Sequence, residues 1–484
     1  MMLELTPRDE VCTRKALRIN PAKTCQPVGA LYAALGVHGC MPHSHGSQGC
    51  ASFHRMFLTR HFKEPAMAST SAFTEGASVF GGGANLTQAC RNLFDTYDPE
   101  VIAVHTTCLS ETIGDDLNAI VSAMDIPEGK HVVYCNTPSY VGSHITGYAN
   151  MLAGFVRNLS DKPLVGGADG SGDSMSMDLG GQASSADRLK SRTGKKLALF
   201  AGFINPGDMR EIKRIAEEFD IDYTLLPDTS GVMDAPMTGT YQLYPAGGTP
   251  VAAIQALGSA KLGLALGETA AGPGAVALSN KCGVPEKLLP LPMGVRLTDE
   301  YLMALSEFAS DDVPQCLEEE RGQLVDILVD AHPYLDGKTA AIFGDPDTIY
   351  GLSSAVLEMG MLPRYVLTTS PFPAITKKLM ELFEEYGVAD KCLVKDSADL
   401  FELHQLVIQD PVDVLIGTSF GKLIARAENI ALVRAGFPII DRYVHSYMPL
   451  VGYRGGMRLV EMIAGALMDS LDRNCAEEDF EMVM

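Results

Sequence analysis

The chain lacks any apolar run long enough to span a membrane. Its opening residues, MMLELTPRDEVCTRK, are charged throughout and contain no apolar signal core. A cytoplasmic protein, with no membrane partner, is expected. Positive charge is also scarce. Lys and Arg number 38 against 60 Asp and Glu, a net charge of −22 over 484 residues. Nucleic acid is therefore not an expected partner, because phosphate binding needs a basic face. No CxxC occurs, which argues against zinc ribbons, thioredoxin-like redox pairs and bacterial ferredoxin runs. No HExxH, GxGxxG or GxxxxGK(S/T) occurs either, so zincin chemistry and the common nucleotide-binding loops lose their support.

What is present is the composition of a globular protein, 46% hydrophobic and 20% charged, in a chain long enough for two to four domains. From Val101 onward, buried-strand patterns alternate with helix patterns: VIAVHTTC, then LSETIGDDLNAIVSAM, then HVVYCNTPS. The alternation resumes at LALFAGFINPGD and again at TAAIFGDPDTIYGLSS, and it implies parallel sheets. The expected fold class is α/β, with three doubly wound, Rossmann-like parallel-sheet domains. The expected boundaries are 1–158, 196–337 and 338–484, the last ending in a helix, with a Gly/Ser-rich linker or insertion at 159–195. Residues 21–90 show little periodicity and read as loops interrupted by short helices.

The soft ligands are unevenly placed. Seven of eleven cysteines lie in the first 135 residues, and eight of eleven histidines lie at or before His144. In a chain of this kind, metal or catalytic roles for cysteine gain weight over disulfides. Cys108 and Ser139 are expected at the carboxyl ends of strands, where open α/β sheets bind ligands. Cys25 and Cys50 lie in small-residue loops able to fold over the same crevice. Their separations, 25 and 58 residues, match no common motif. Spacing alone leaves open the plainer role of free cysteines as small buried hydrophobes. If these three thiols bind an iron–sulfur group, they fall short of the usual four, so a further ligand or another chain is required.

The segments RINPAKTCQPVGALYAALG, HSHGSQGC, RHFKEP, STSAFTEGASVFGG, HTTCLSETIGDDL and NTPSYVGSHITGY carry a resemblance to a known family. They resemble the beta subunits of nitrogenase molybdenum–iron proteins, most of all the short form found in anaerobes. ERGQLVDILVDAH, FGDPD, GTSFGK and VRAGFPIIDRY extend the resemblance over nearly the whole chain; residues 160–194 match nothing in it. The resemblance implies that Cys25, Cys50 and Cys108 ligate a P-cluster (8Fe–7S) shared with an alpha subunit, and that the oxygen of Ser139 joins them on oxidation. It implies that Phe80 docks the ATP-hydrolysing iron protein. It implies a second site at a beta–beta contact, holding iron, calcium or magnesium through the Lys63 carbonyl and Glu64 of one copy and Asp326 and Asp330 of another. Hard oxygen ligands suit such cations.

The implied assembly is an α2β2 tetramer. It would pass electrons to an iron–molybdenum cofactor on the alpha chain, where dinitrogen becomes ammonia. A vanadium or iron-only nitrogenase beta chain, a cofactor-assembly scaffold and a dark-operative tetrapyrrole reductase are the alternatives. Arg55 and Arg60 either orient loops around the cluster or pair on the surface. His43, His45, His54 and His105 are expected to hydrogen-bond or pack behind the ligands. Asp345 or Asp347 is expected to cap a helix. The remaining cysteines, Cys12 among them, are expected to be plain core or surface residues.

Overall fold

The computed structural model describes residues 11, 19, 22–162, 195–240, 242–368 and 370–480. Cys12 and nearly all of the Gly/Ser-rich segment lie outside the described residues. Three sheets form, and every pairing in them is parallel. The first contains β1 (Cys40–His45), β2 (Ser69–Thr70), β3 (Val101–Thr106) and β4 (His131–Cys135), in the order β2-β1-β3-β4. The second contains β5 (Lys196–Ala201), β6 (Asp222–Leu226), β7 (Leu262–Leu266) and β8 (Glu286–Leu289), in the order β6-β5-β7-β8. The third contains β9 (Thr339–Gly344), β10 (Leu362–Thr368), β11 (Leu393–Lys395), β12 (Val414–Gly417) and β13 (Ala431–Arg434), in the order β11-β10-β9-β12-β13. Central strands such as VIAVHT are buried at every residue, as helix-covered parallel strands must be. The α/β class with three parallel sheets is as expected.

The first 160 residues depart from expectation in their detail. The region read as loops holds α1 (Gln26–Leu35), α2 (Gln48–Phe62), α3 (Glu75–Phe80) and α4 (Gly83–Tyr97), besides β1. All ten residues of α1 are buried, so it has no polar face to reveal a helical period. LSETIGDDLNAIVSAM is two helices, α5 (Cys108–Ile113) and α6 (Leu117–Ser122). Gly114 ends the first at φ +80°, and the Asp116 carboxylate caps the second by accepting from the Ala119 N–H. β4 stops at Cys135, so Ser139 lies in the loop before α7 (His144–Leu159) and not at a strand end.

Aromatic side chains lock the three sheets together. Phe203 meets Tyr32, His144, Tyr148 and Phe437 at ring separations of 5.1, 4.9, 5.4 and 5.0 Å. The Tyr148 hydroxyl donates to the carbonyls of Ala201 and Gly202, both at 2.9 Å. Asp345 and Asp347 join this junction and do not cap their own helix. Asp345 lies 3.0 Å from His144 Nε2, and Asp347 accepts the N–H groups of Thr269 and Ala270 at 3.0 Å.

His61, on α2, bonds to both other units. The Ile439 N–H donates to Nδ1 at 2.8 Å, and Nε2 donates to Asn205 Oδ1 at 2.9 Å. The neutral ring satisfies both partners, whereas a protonated ring would set Nδ1–H against Ile439 N–H. Burial, then the neighbouring His445, lowers the His61 pKa to about 3. An unfolded histidine takes up its proton near pH 6.5, so this stability is complete above that pH and is lost as pH falls. By pH 5 the loss is about 2 kcal/mol from this group alone. Urea midpoints measured between pH 7 and 5 should therefore fall less steeply for His61→Gln than for the native chain. Equal slopes would contradict the assignment.

Candidate metal–sulfur site

The ends of β1, β3 and β4 lie side by side, with His45 opposite Thr106 and His105 opposite Cys135. The chain leaving β1 turns at Gly46 and enters α2, whose third residue is Cys50. The chain leaving β3 enters α5, whose first residue is Cys108. The chain leaving β4 forms the loop that bears Ser139. Cys25 sits at the N-cap position of α1. All three thiols thus stand at helix N-termini, where the helix dipole stabilises a thiolate or an anionic group.

The thiols face one another. Cys108 raises the cost of ionising Cys25, and both raise that of Cys50. Burial raises the pKa of Cys25 first; the Ser139 hydroxyl, hydrogen-bonded to it, pulls it back, and Cys108 raises it again. Burial also leads for Cys50, followed by Cys108 and Cys25, with Ser47 opposing. As thiolates these groups would repel one another, so positive charge between them is needed to ionise them together, and binding metal there would release protons. Among the described residues no three His, Cys, Asp or Glu side chains converge tightly enough to hold one ion. All three remain partly exposed, so the site is open on one side.

Side chains that the sequence did not single out hold this geometry. Gln26 Nε2 donates to the carbonyls of Pro138 and Val141, at 3.0 and 2.8 Å, and so pins the Ser139 loop beside Cys25. Glu111 accepts from Thr106 and, at 2.9 Å, from Asn136. Thr137 donates to the Thr106 carbonyl at 2.6 Å. Gly46, at φ +140°, lets the end of β1 touch Thr107: a Cβ there would lie 1.9 Å from Thr107 Oγ1. The carbonyl of His45 accepts from Thr107 N–H at 3.0 Å and Ser110 Oγ at 2.7 Å, fixing the start of α5. Only the recurrence of Ser, Thr and Gln beside each cysteine hinted at these roles.

The four histidines lie behind the site. His43 bonds Ser69 and Ser71, His45 bonds Ser71 and Asp115, and His105 bonds Ser44. His54 packs against His105, at 6.0 Å between rings. Burial lowers the pKa of His43 to about 3 and of His54 to about 4, which keeps these rings neutral near a cluster of anions. Arg55 donates to the Ala66 carbonyl and so orients the turn after α2, whereas the Arg60 side chain is exposed.

The other candidates sit apart. Phe80 ends α3 and is 91% exposed beside Val79 at 74%, so it is a surface residue and not part of the core. Lys63 takes the left-handed conformation that ends α2, and its Nζ bonds the Ile440 carbonyl. Glu64 is exposed. Asp326 and Asp330 are exposed on the helix Gln315–Leu335, next to exposed Val325 and Val329. One copy of the chain does not bring Glu64 and the two aspartates together.

Residues 25–468 match the family model described as nitrogenase component 1 type oxidoreductase. The nitrogenase molybdenum–iron protein beta chain of Clostridium pasteurianum is 52% identical over 486 residues, covering 100% of both chains. That of Frankia alni is 39% identical, covering 98% of this chain and 87% of the relative, so the match is to the shorter form. A solved structure titled nitrogenase Cp1 at pH 6.5 superposes with a TM-score of 0.92 at 52% identity, covering 100% of each chain. The chain belongs to the nitrogenase component 1 family of oxidoreductases, among the molybdenum–iron protein beta chains.

Proposed function

We propose that this chain carries half of a P-cluster shared with an alpha chain and relays electrons through it. The electrons come from an ATP-hydrolysing iron protein and go to an iron–molybdenum cofactor on the alpha chain. The family's role is electron relay and dinitrogen reduction. The observation that carries the reading is the convergence of Cys25, Cys50 and Cys108 on one opening from three helix N-termini, beside Ser139. When bound, the 8Fe–7S group supplies one-electron storage and transfer. The residues suit it in donor chemistry and in being incomplete: three soft, partly exposed thiols need a partner to finish the set.

The chain's own part is to place and tune. The helix N-termini stabilise negative charge at the three sulfurs. Gln26 and Glu111 hold the Ser139 loop in register. Ser139 keeps a proton at Oγ beside Cys25, and loses it where growing positive charge favours a hard oxygen anion. The neutral histidines behind the site exclude water without adding charge. We assign no substrate chemistry to this chain.

The assembly we propose is an α2β2 tetramer in the cytoplasm. Its beta–beta contact is tied by iron, calcium or magnesium between Lys63 O and Glu64 of one copy and Asp326 and Asp330 of the other. Separate exposure of these groups on one copy supports a site completed by two.

Phe80 is the proposed anchor for the iron protein. An exposed aromatic on a rigid tip is the usual form of a binding hot spot. Phe80→Ala should weaken iron-protein binding about thirtyfold, or about 2 kcal/mol. In stopped-flow electron transfer, the rate at saturating iron protein should change far less than the concentration needed to reach it. A complex that takes no electrons from an iron protein would overturn the function, and unchanged affinity in Phe80→Ala would overturn the docking role.

A further inference from the structure

Asp115 joins the two ends of this proposed relay. Its side chain is 8% exposed. Both of its oxygens accept the Gly82 N–H, at 3.0 and 3.1 Å, and Oδ2 lies 3.0 Å from His45 Nε2. A carboxylate only accepts, so the His45 proton is on Nε2 and Nδ1 accepts from Ser71 at 2.9 Å. Gly82 is two residues from Phe80, across the Gly81 turn at φ +98°. A Cβ at Gly82 would lie 2.0 Å from Phe73 Cζ and 2.7 Å from Asp115 Oδ2, so the tip is seated with no slack. On the other side, the His45 carbonyl holds Thr107 N–H and Ser110 Oγ, the two groups that flank Cys108.

The tip is fastened to the same strand at its beginning too. Ser71 N–H donates to the Ser44 carbonyl at 3.2 Å, and Phe73 N–H to the Gly46 carbonyl at 3.0 Å. Phe73 also packs edge-on against the His45 ring, at 4.9 Å. These bonds tie both ends of the Phe80 segment to residues 44–46 and to Asp115, and Ser71 also bonds His43. From there one hydrogen bond reaches the start of α5. From Gly82 inward the route to Cys108 runs through Asp115, His45 and Thr107, whose side chains are buried.

We infer that Asp115 is a positioning residue that transmits docking at the Phe80 tip, through His45, to the Cys108 helix, so that partner binding adjusts the electron-relay group. The inference rests on the function proposed above and adds the coupling between its docking and redox ends. The test measures this coupling directly.

The holo complex is prepared native, as Asp115→Asn, and as Asp116→Asn, the last altering the neighbouring exposed helix cap. Iron content, affinity for iron protein with a non-hydrolysable ATP analogue, and the cluster midpoint potential with and without that partner are measured for each. Native protein and Asp116→Asn should show a potential shift on docking. Asp115→Asn should keep its iron, bind within about threefold of native affinity, and lose at least half of the shift. Should Asp115→Asn assemble poorly, His45→Phe keeps the ring packing, removes both side-chain bonds, and carries the same expectation. A full shift in these variants, or no shift in native protein that docks and holds iron, overturns the inference. Native protein that holds no iron or does not dock overturns the proposed function instead.

Discussion

Cys108→Ala is expected to leave the fold intact and to strip the protein of most of its cluster iron. The thiol has no structural duty that Ala cannot replace. The start of α5 is held by the reciprocal Thr107 and Ser110 cap and by the His45 carbonyl, none of which involves the Cys108 side chain. Alanine is the better helix former, so stability should change by no more than about 0.5 kcal/mol. Iron retention is another matter. Losing one outer-shell partner commonly costs about 10–100-fold in metal affinity, and losing a thiolate should cost at least as much.

Cys90→Ala should do the reverse. Cys90 is buried on α4, 3% exposed, away from the three helix starts. Its loss should cost about 1 kcal/mol through a small cavity and leave iron unchanged. Iron per complex after dialysis against a chelator, set beside thermal midpoints, separates the two. Equal iron in Cys108→Ala and native protein would remove Cys108 from the site.

Gly147→Ala is expected to destabilise the chain by about 3 kcal/mol, toward the upper end of overpacking costs. A Cβ at Gly147 would lie 1.9 Å from the Gln26 carbonyl oxygen and 2.5 Å from its carbon. Both are backbone atoms of α1, so no side-chain rotation relieves the clash and the helices must part. At the same crossing, a Cβ at Gly29 would lie 1.7 Å from the His144 carbonyl oxygen. The displaced residue, Gln26, follows Cys25 and pins the Ser139 loop, so one methyl group moves two proposed ligands. Gly465→Ala is the contrast. It lies inside the helix Gly452–Asn474 with nothing within 4 Å of its added Cβ, and should stabilise by up to about 1 kcal/mol. Denaturant midpoints for the two should move in opposite directions; a neutral Gly147→Ala would contradict the packing account.

The strands of the second and third sheets were legible because parallel strands buried on both faces read as apolar runs, as LALFA and TAAIF do. The first 100 residues were not. In β1, CMPHSH is buried throughout, yet half of it is His and Ser paired within the protein, which a sequence cannot distinguish from a polar loop. The cysteines were singled out through their sequence contexts and not through spacing, because thiols supplied by three separate helix starts have no local repeat. Their shared placement at helix N-termini is a property of the fold. Asp115 was invisible for the same reason: its partners, Gly82 and His45, lie 33 and 70 residues away in sequence. Phe80 was singled out through its family context, and it stands exposed where the Gly81 turn ends α3.

The central claim is that this chain holds half of a cluster that a second chain completes. The most direct measurement is iron and molybdenum in the chain purified alone and in the chain purified with its alpha partner, under exclusion of oxygen. The account predicts a folded, colourless, iron-poor chain on its own, and a brown complex rich in iron and containing molybdenum when the partner is present. A chain that is brown and fully iron-loaded by itself would contradict it.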